Sequence, residues 1–472
     1  MLQVAPLLFY AIAFFLGIAS ALVFHPIYIP LFCLLLFLWK KRILSGIICY
    51  LCGVLFAFYS CSLPNLPEDG LEGSGIFQVT AIQHTSSPFS SAIMTHGTLE
   101  TFASWKRIPC MIYTMPHQER PIGGRFHIEG RLLPKTPPHY VLKPTTISPL
   151  SLPALPEWRF HLKEWTRAHF EKLFPDPAVS SFLLSMVTGE VDDRTAAMQF
   201  NKLGLLHLLG ISGFQFSLLA LLLGSLLRLF LPCHFALYTL ALLLTAYAFL
   251  LGNSPPIQRA YLTILLYLIA ERFDLQISPL NAFGGALMWV LLLDPLSIFH
   301  LGFQFSFLCT AAIVMIYPAL RPKPRPLASI YKLPFLDRFG NLLLFVIKGS
   351  LALNCAIHLI TAPLLFYHFH KLPALSILYN LFLPAIVSVA YLFLIPGLML
   401  YPVVPLFAKL FLKVTHFLTA ETLLIAGSPI TPLDFQIRSP LSFVWTVICV
   451  AGVLGVFVYL GCLKKAGLYN FI

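Results

Sequence analysis

Polar side chains occur at intervals within the long apolar stretches of this 472-residue chain. Charged and amide groups are costly in a lipid bilayer, so those found there usually face the interior of a helix bundle or a water-filled path. Each one alone has a structural explanation, because a serine can bond to its own helix and a glycine can allow close helix packing. A purely structural bundle has little use for so many, and we interpret the set as the lining of a path. It comprises His207, Ser212, Gln215, Asn253, Ser254, Arg259, Asp294, Gln304, Ser306, Asn354, His358, His368, His370, Asn380, Lys409, Lys413 and His416.

Enzyme signatures are missing from the same stretches. The sequence at 210–213 lacks the second glycine spacing of a nucleophile elbow, and the chain has no GxxxxGK[ST] sequence for a P-loop. His368 and His370 are not followed by an acidic residue and another histidine, so a dinuclear metal site has no ligand set. Cys49 and Cys52 form a CxxC pair, but a zinc or redox site needs further ligands. We therefore expect no enzyme activity, no metal and no cofactor.

The composition is that of a membrane protein. Hydrophobic residues make up 58% of the chain and charged residues 11%, against roughly 45–50% and about 25% in soluble proteins. The chain contains 42 Phe and 18 Tyr, and its mean hydropathy is +0.83. A soluble core cannot hide so much apolar surface, so we expect most of the chain to lie in lipid. The same figures exclude the disordered, collagen-like and disulfide-framework classes.

Twelve apolar runs approach the length of about 20 residues that a membrane-spanning helix needs. We interpret the first run as an uncleaved span because more spans follow it at once, although Ala19-Ser20-Ala21 resembles a signal-peptide cleavage site. Several runs are short or broken by proline, so one re-entrant segment is an alternative to twelve full spans. The runs are 2–24, 27–39, 43–61, 205–231, 233–251, 257–271, 278–293, 299–319, 342–366, 374–401, 403–427 and 440–461.

The excess of positive charge lies beside these runs and sets the expected orientation. The formal net charge is +12, yet residues 62–204 contain thirteen Lys/Arg and thirteen Asp/Glu and are neutral. Because cytoplasmic loops are enriched in Lys and Arg, we place both termini inside and residues 62–204 outside, which agrees with twelve alternating spans. The excess of positive charge therefore indicates how the chain is oriented in the membrane, and not a general electrostatic field for binding nucleic acid. The basic positions are Lys40, Lys41, Arg42, Arg228, Arg272, the loop 321–341, Lys464 and Lys465.

Residues 62–150 have the pattern of a small all-β domain. Pro, Ser, Thr and Gly separate short apolar pieces, and Arg125–Glu129 alternates polar with apolar residues. About five short strands in roughly 80 residues suit an OB-like barrel. Cys61 and Cys110 are both expected outside, where they are candidates for joint oxidation.

Residues 151–204 are predicted to be helical but too polar to span a membrane. Trp158, Leu162 and Trp165 recur at three- and four-residue steps, with charged residues such as Arg159 and Lys163 between them. A helix of this kind lies on a membrane surface or packs over a bundle. We favour a helix that covers the outer mouth of the path. In chain order, this helical segment comes after the three N-terminal spans of 1–61 and the β domain.

Several motifs resemble the competence domain of the ComEC family of DNA-uptake membrane channels. Phe200–Phe216 is similar to the first of them, and Asn253–Ala260, Asp294–Ser306 and Pro363–Pro384 are similar to three more. Gly124–Pro134 resembles the end of the outer OB-like domain of that family. The resemblance keeps its order and spacing over nearly the whole chain, and it implies that 205–472 form the channel domain.

The chain departs from the family pattern in two places. Where the family commonly has histidine after Ser-Gly-Leu, this chain has Phe214-Gln215, which puts the role of that imidazole in doubt. Many relatives also carry a C-terminal metallo-β-lactamase-like domain, thought to be a nuclease, whereas this sequence stops at Ile472. We therefore expect strand-degrading activity to come from another protein.

The resemblance implies passage of single-stranded DNA across the inner, cytoplasmic membrane. A polyanion needs hydrogen-bond donors along its path, and a lining cation can contact phosphate. In the neutral outer region, stacking of bases on aromatic rings, worth about 1–3 kcal/mol per base, would have to supply the affinity. The implied partners are single-stranded DNA, the lipid bilayer, separate DNA-capture, nuclease and motor proteins, and further copies of the chain. The path candidates are His207, Ser212, Gln215, Arg259, Gln304 and Asn380, and the stacking candidates are Phe77, Trp105, Tyr113 and Phe126.

Two other functions fit parts of the pattern. A secondary transporter of a small molecule would also have about twelve spans interrupted by Pro and Gly. Against it, the two halves show no clear internal repeat, and a large outer β domain would be unusual. A scaffold for surface assembly would need its spans only as anchors, which leaves the polar residues at membrane depth without a purpose.

Overall fold

The structure, a computed structural model, divides into two compact units. The N-terminal unit contains the described residues of Ala5–Arg194 and Gly210–Gln304, and the C-terminal unit contains those of Thr195–Leu209 and Phe305–Ile472. The structure describes residues 5–23, 25–38, 42–60, 67, 69–84, 93–100, 107–114, 124–134, 140–150, 154–191, 193–211, 213–252, 254–322, 334–373, 375–428, 436–438 and 440–465.

Helices occupy most of the described chain, and each of the twelve predicted apolar runs contains one. Three helices follow the β domain in the segment that was predicted to be helical, 151–204. The helices are α1 Pro6–Val23, α2 Tyr28–Leu38, α3 Ile43–Ser60, α4 Ala154–Leu173, α5 Pro177–Thr188, α6 Arg194–Lys202, α7 Gly213–Phe230, α8 Cys233–Leu251, α9 Pro255–Arg272, α10 Pro279–Leu293, α11 Leu301–Ala311, α12 Tyr317–Leu320, α13 Pro334–Phe369, α14 Ser376–Leu400, α15 Pro405–Gly427 and α16 Phe443–Lys465. Short 3-10 turns lie at Leu206–Leu208 and Pro295–Phe299, and a π-helical segment at Ala312–Ile316 joins α11 to α12.

Eight helical segments among the described residues are long and apolar enough to cross a membrane. They are α1, α3, α7 with the 3-10 turn before it, α8, the continuous segment from α11 to α12, α13 from Gly340 onwards, α14 and α15. The other four predicted runs contain α2, α9, α10 and α16, which do not reach that length and composition over their described residues. The protein is therefore a polytopic α-helical membrane protein.

Helix α1 is the buried centre of the N-terminal helices. It packs against α3 and α10, and polar contacts fix its position at several levels. The backbone N–H of Leu7 donates to Oδ1 of Asn281 in α10 at 3.2 Å. On the α3 side, the hydroxyl of Tyr50 donates to Oγ of Ser20 at 2.8 Å. These bonds satisfy polar groups within the apolar bundle, where an unpaired donor or acceptor is expensive.

Five strands in the same unit form a closed barrel, as the turn-rich sequence of 62–150 predicted. They are β1 Leu71–His84, β2 Ile93–Glu100, β3 Arg107–Thr114, β4 Arg125–Pro134 and β5 Tyr140–Pro149. The strand order around the barrel is β1-β2-β3-β5-β4. Neighbours are antiparallel except β3 and β5, which pair in parallel at Cys110–Tyr140 and Met111–Val141.

The barrel core follows the alternation seen in the sequence. Along β4, Phe126, Ile128 and Leu132 are buried while Arg125 and Glu129 are exposed. This period of two places one face of each strand inside the barrel. The core also contains Phe77, Val79, Leu99, Ile108, Cys110, Ile112, Tyr140 and Leu142.

The C-terminal unit consists of long helices and one small sheet. Helices α14 and α15 form its tightest pair, in which Thr415 of α15 donates to the backbone carbonyl of Ala390 at 3.3 Å. Helix α13 continues through Pro363, and α16 packs beside it. The strands β6 Lys371–Pro373 and β7 Gln436–Arg438 pair antiparallel.

Cys110 lies in the barrel core as a free thiol, which argues against the expected oxidation with Cys61; Cys61 lies outside the described residues. Burial raises the pKa of the Cys110 thiol, and a hydrogen bond with the backbone of Leu99 only partly opposes the shift. Since the thiolate is the reactive form, both the burial of Cys110 and its raised pKa slow its reaction with oxidants and thiol reagents.

We predict that Cys110 in the isolated segment 68–150, where it is the single cysteine, reacts with a thiol reagent at least about a hundredfold more slowly than in denaturant, because the barrel must open first. The rate of labelling at pH 8, with and without denaturant, measures this. Equal rates in the two conditions would show that the barrel does not enclose the thiol.

Candidate functional site

Helices α7, α8 and α9 form a three-helix bundle within the N-terminal unit. Short connections join them in antiparallel order, so the N-termini of α7 and α9 lie at the same end as the C-terminus of α8. We call this the polar end. Apolar packing fixes the helices there, with the Phe216 ring stacked on Tyr247 at a centroid distance of 5.8 Å. Ile211, Leu251, Ile257 and Ala260 are buried in the same cluster.

Arg259 packs directly against Gly213 at the polar end. Arg259 lies about one turn into α9 and is half-buried, and its guanidinium occupies the space that a Cβ at position 213 would need. Gly213 is the first residue of α7, so its missing side chain allows the cation to approach that helix end. Gln215, also near the start of α7, is only 2% exposed. Two predicted path residues thus share the polar end, while Ser212 and Asn253 lie outside the described residues.

The start of α11 meets the polar end through Gly302. An ideal Cβ on Gly302 would lie 3.2 Å from Cγ of Pro256, at the start of α9. Gln304 donates from Nε2 to the backbone carbonyl of Ile298 at 2.9 Å, which ties α11 to the 3-10 turn. Asp294 starts that turn by accepting the backbone N–H of Leu296 at 3.1 Å. Gln304 and Asp294 therefore position this part of the polar end.

Helix α4 exposes its tryptophans and buries two of its basic residues. Trp158 and Trp165 are 58% and 63% exposed, whereas Arg159 and Lys163 are only 9% and 8% exposed. Exposed tryptophans suit the interface of a membrane. Arg159, Lys163 and the buried Phe170 follow one another at four- and seven-residue steps, which is the spacing of one helix face. The sequence therefore contained a signal for the buried face of α4, but its tryptophan pattern was more prominent.

The two buried cations of α4 lie beside one carboxylate. Lys163 forms an ion pair with Glu190 at 2.6 Å. The guanidinium of Arg159 lies over the ring of Phe249 at 6.0 Å and against Gly252, the residue that follows α8 at the polar end. Burial lowers the pKa of Arg159 and the charge of Glu190 opposes this shift; a guanidinium stays protonated regardless. Helix α4 thus places two cations beside Glu190 at this corner of the polar end.

In the C-terminal unit, side chains of α13 and α14 form a hydrogen-bonded group that we call the α13–α14 cluster. Asn354 donates to the backbone carbonyl of Asn380 at 3.2 Å. The ring of His358 bridges the carbonyl of Asn354 at 2.9 Å and the hydroxyl of Ser376 at 3.0 Å. Asn380 in turn donates to the backbone carbonyl of Ser376 at 2.8 Å. The predicted path residue Asn380 is thus held by neighbours that the sequence had shown only as isolated polar positions.

His207 also belongs to the C-terminal unit. It is exposed, and it lies close enough to His358 for an electrostatic interaction between the two imidazoles. Gly204, three residues earlier, has a left-handed φ of 73° and would place a Cβ 3.1 Å from Cβ of Ser376. The turn before α7 therefore lies against the start of α14, beside the α13–α14 cluster.

The barrel places its predicted stacking residues differently. Phe77 is 0% and Phe126 7% exposed, and both rings fill the core, where they have no free face for a base while the barrel is folded. Tyr113 is 43% exposed and has such a face. Trp105 lies outside the described residues. Alternation along a strand separates two faces but does not say which of them points into the barrel. Phe77 and Phe126 lie on the inward face.

No group of three or more His, Cys, Asp or Glu within the described ranges is arranged to hold a metal ion. The polar groups of both units are mainly amides, imidazoles, hydroxyls and cations, with Asp294 and Glu190 already engaged in local contacts. This is a chemistry of hydrogen-bond donation and positive charge.

Helical segments long and apolar enough to cross a membrane, together with a small barrel, define a multi-pass membrane protein. The chain belongs to the competence protein family, whose match covers residues 186–465. This agrees with the ComEC-type motifs in the sequence. The chain is also similar to ComE operon protein 3 of Bacillus subtilis (strain 168), with 26% identity over 183 residues. That alignment covers 39% of this chain and 21% of the relative, and no solved structure matches the chain.

We predict that the Lys163–Glu190 pair is energetically coupled. Lys163→Met and Glu190→Gln each leave one partner of a short ion pair, with side chains 9% and 35% exposed, without its counter-charge. Each variant should unfold at a lower temperature in detergent, and the double variant should lose less than the sum of the two, by about 1 kcal/mol after allowance for the exposure of Glu190. Strictly additive losses would mean that the pair contributes no interaction energy.

Proposed function

We propose that this protein is a channel, not an enzyme, that passes single-stranded DNA into the cytoplasm during DNA uptake. In this proposal it crosses the inner membrane with about twelve spans, both termini are cytoplasmic, and residues 62–204 lie outside. Membership of the competence protein family supports the biological process. Helices α2, α9, α10 and α16 then complete the bundle beside the eight candidate spans.

The observation that supports a DNA path best is the convergence of three motifs at the polar end. Gly213 meets Arg259, and Pro256 meets Gly302, so segments that are far apart in sequence contact each other around a cation. A guanidinium at the start of a membrane helix either reaches lipid headgroups or faces water. Here it packs on a glycine of a neighbouring helix, which favours a path inside the protein.

The chemistry of the polar end suits a phosphodiester backbone. A guanidinium can donate two parallel hydrogen bonds to phosphate oxygens. In the proposed orientation the polar end lies on the outer side, where Arg159 and Lys163 place two cations beside Glu190. A strand would therefore meet fixed donors as it leaves the outer aqueous space.

The barrel is proposed to be an OB-like module next to this entrance. Its five strands, their closed order β1-β2-β3-β5-β4 and the parallel β3–β5 pair support that fold. Since the outer region has no net charge, its contribution to DNA binding rests on exposed aromatic rings such as Tyr113. DNA capture, degradation of the second strand and the driving force are assigned to separate proteins, and further copies of this chain are proposed partners.

We predict that Arg259→Gln strongly reduces entry of DNA into the cytoplasm, by about tenfold or more, because the phosphate-pairing charge is lost while a donor remains. Arg259→Lys should restore part of the entry, since an ammonium contacts phosphate without the bidentate geometry. Nuclease-protected labelled DNA in whole cells measures entry, and immunoblotting of membranes measures the amount of protein. Normal import by a normally inserted Gln variant would make Arg259 a headgroup anchor.

A glycine pair supplies the matched control for this experiment. Gly213→Ala pushes the guanidinium of Arg259 aside without removing it, whereas a Cβ on Gly210, three residues earlier, meets nothing within 4 Å. We expect Gly213→Ala to lower DNA entry and Gly210→Ala to leave it unchanged. Equal effects of the two alanines would point to the flexibility of the segment and not to the position of Arg259.

The proposed orientation predicts the accessibility of single cysteines. Probes at Ser86 and Pro137, in the outer region, should react with a membrane-impermeant thiol reagent in intact cells, and a probe at Pro324, in the basic loop, should react only after the membrane is opened. Labelling at Pro324 from outside would invert the orientation or change the number of spans.

A further inference from the structure

Three basic side chains follow one flank of α15 through the depth of a candidate span. Lys409, Lys413 and His416 lie within about 60° of one another on a helix of 3.6 residues per turn. Both lysines are exposed and His416 is half-buried. Within the described part of the chain none of the three forms a hydrogen bond or an ion pair. We call these three residues the basic flank.

The other sides of α15 are apolar or packed. Leu412, Thr415 and Thr419 are buried on the side that faces α14, and Thr415 bonds to that helix. Leu406, Leu410, Phe417 and Leu424 form an exposed apolar side that suits lipid. The flank opposite the basic one contains Phe411, whose ring contacts Phe393 of α14 at 5.7 Å. Positive charge is therefore confined to one of the two boundaries between protein and lipid.

The depth of the basic flank excludes lipid headgroups as its main partner. With a rise of about 1.5 Å per residue, Lys409, Lys413 and His416 lie about 6, 12 and 16.5 Å from the first residue of α15. The helix has 23 residues, so His416 is at its midpoint. A long lysine near the helix start can reach headgroups, but a histidine at the centre of a hydrocarbon layer about 30 Å thick cannot.

We propose that the basic flank lines the DNA path and contacts successive phosphates of the translocating strand. This rests on the proposed channel function and adds a surface of the C-terminal unit to the residues proposed to meet DNA. Two ammonium groups and an imidazole offer donors to phosphate oxygens, and their succession along the helix axis, in steps of about 6 and 4.5 Å, suits a partner that repeats its negative charge. Water around such a strand hydrates the lysines, which removes the cost of placing them within a span.

Charge substitution tests the proposal in cells that depend on this chain for DNA uptake. The double variant Lys409→Gln/Lys413→Gln should import at least tenfold less labelled DNA, with unchanged surface capture, and Lys409→Arg/Lys413→Arg should import nearly as much as the unmodified protein. Glu421→Gln is the matched control, because it removes an exposed charge from another side of the same helix. Normal import by the Gln pair at normal protein levels overturns the proposal.

Photocrosslinking tests the same surface with the lysines in place. A photoreactive residue at Ala420, on the basic flank, is compared with one at Val414, on the opposite flank; both positions are half-buried. A strand with a bulky end group that halts it in transit should form an adduct from position 420 and not from 414. Adducts of position 420 with lipid alone, or no adduct with DNA, overturn the proposal even if the Gln pair inserts poorly.

The outcomes of these two experiments distinguish a failure of this proposal from a failure of the channel function on which it rests. If uptake requires the chain and Arg259 but is insensitive to the Gln pair and gives no adduct at position 420, only the basic flank is refuted. If cells without the chain import DNA normally, the channel function fails and the basic flank fails with it.

Discussion

A charged or amide group in a hydrocarbon layer must be bonded by protein or by water, and the arrangement of this protein depends on that constraint. At the polar end, Arg259 packs into the space left by a glycine, and Lys163 is paired with Glu190. In the α13–α14 cluster, amides and an imidazole bond to one another and to backbone carbonyls. The basic flank of α15 has no such partners among the described residues, which is why it calls for a polar occupant.

The same constraint explains where glycine and proline occur. A large cation or a polar turn can approach a helix only where side chains are absent, and Gly213 and Gly204 provide this space in the two units. Pro255 and Pro256 begin α9 without leaving an unpaired N–H at the helix start, so the polar end contains fewer orphan donors. The motifs that resemble the ComEC family are thus also the places where backbone and polar side chains come closest together.

Sequence periodicity predicted the helical membrane class and the β domain, but not which face of every element is buried. Each of the twelve runs predicted to span the membrane contains a helix, eight described segments are long and apolar enough to span, and alternation in Arg125–Glu129 predicted a strand of the barrel. The inward face of α4 was left open by its sequence, in which two tryptophans dominate the pattern, whereas Arg159 and Lys163 are the buried residues. Contacts such as Gly213–Arg259 and Asn354–Asn380 join residues more than 20 positions apart, and a single sequence contains no distance information for such pairs.

A path for a polyanion also has to release what it binds. Conduction requires sites that are favourable enough to enter and weak or numerous enough to leave. A dense positive field would hold the strand through the release of many counterions at once. The outer region is instead neutral, and the cations proposed to meet DNA are few, with Arg259 at the polar end and the basic flank on α15. Discrete donors along a hydrated path let one phosphate replace another at each site. A strand can therefore advance without having to escape from one deep energy minimum.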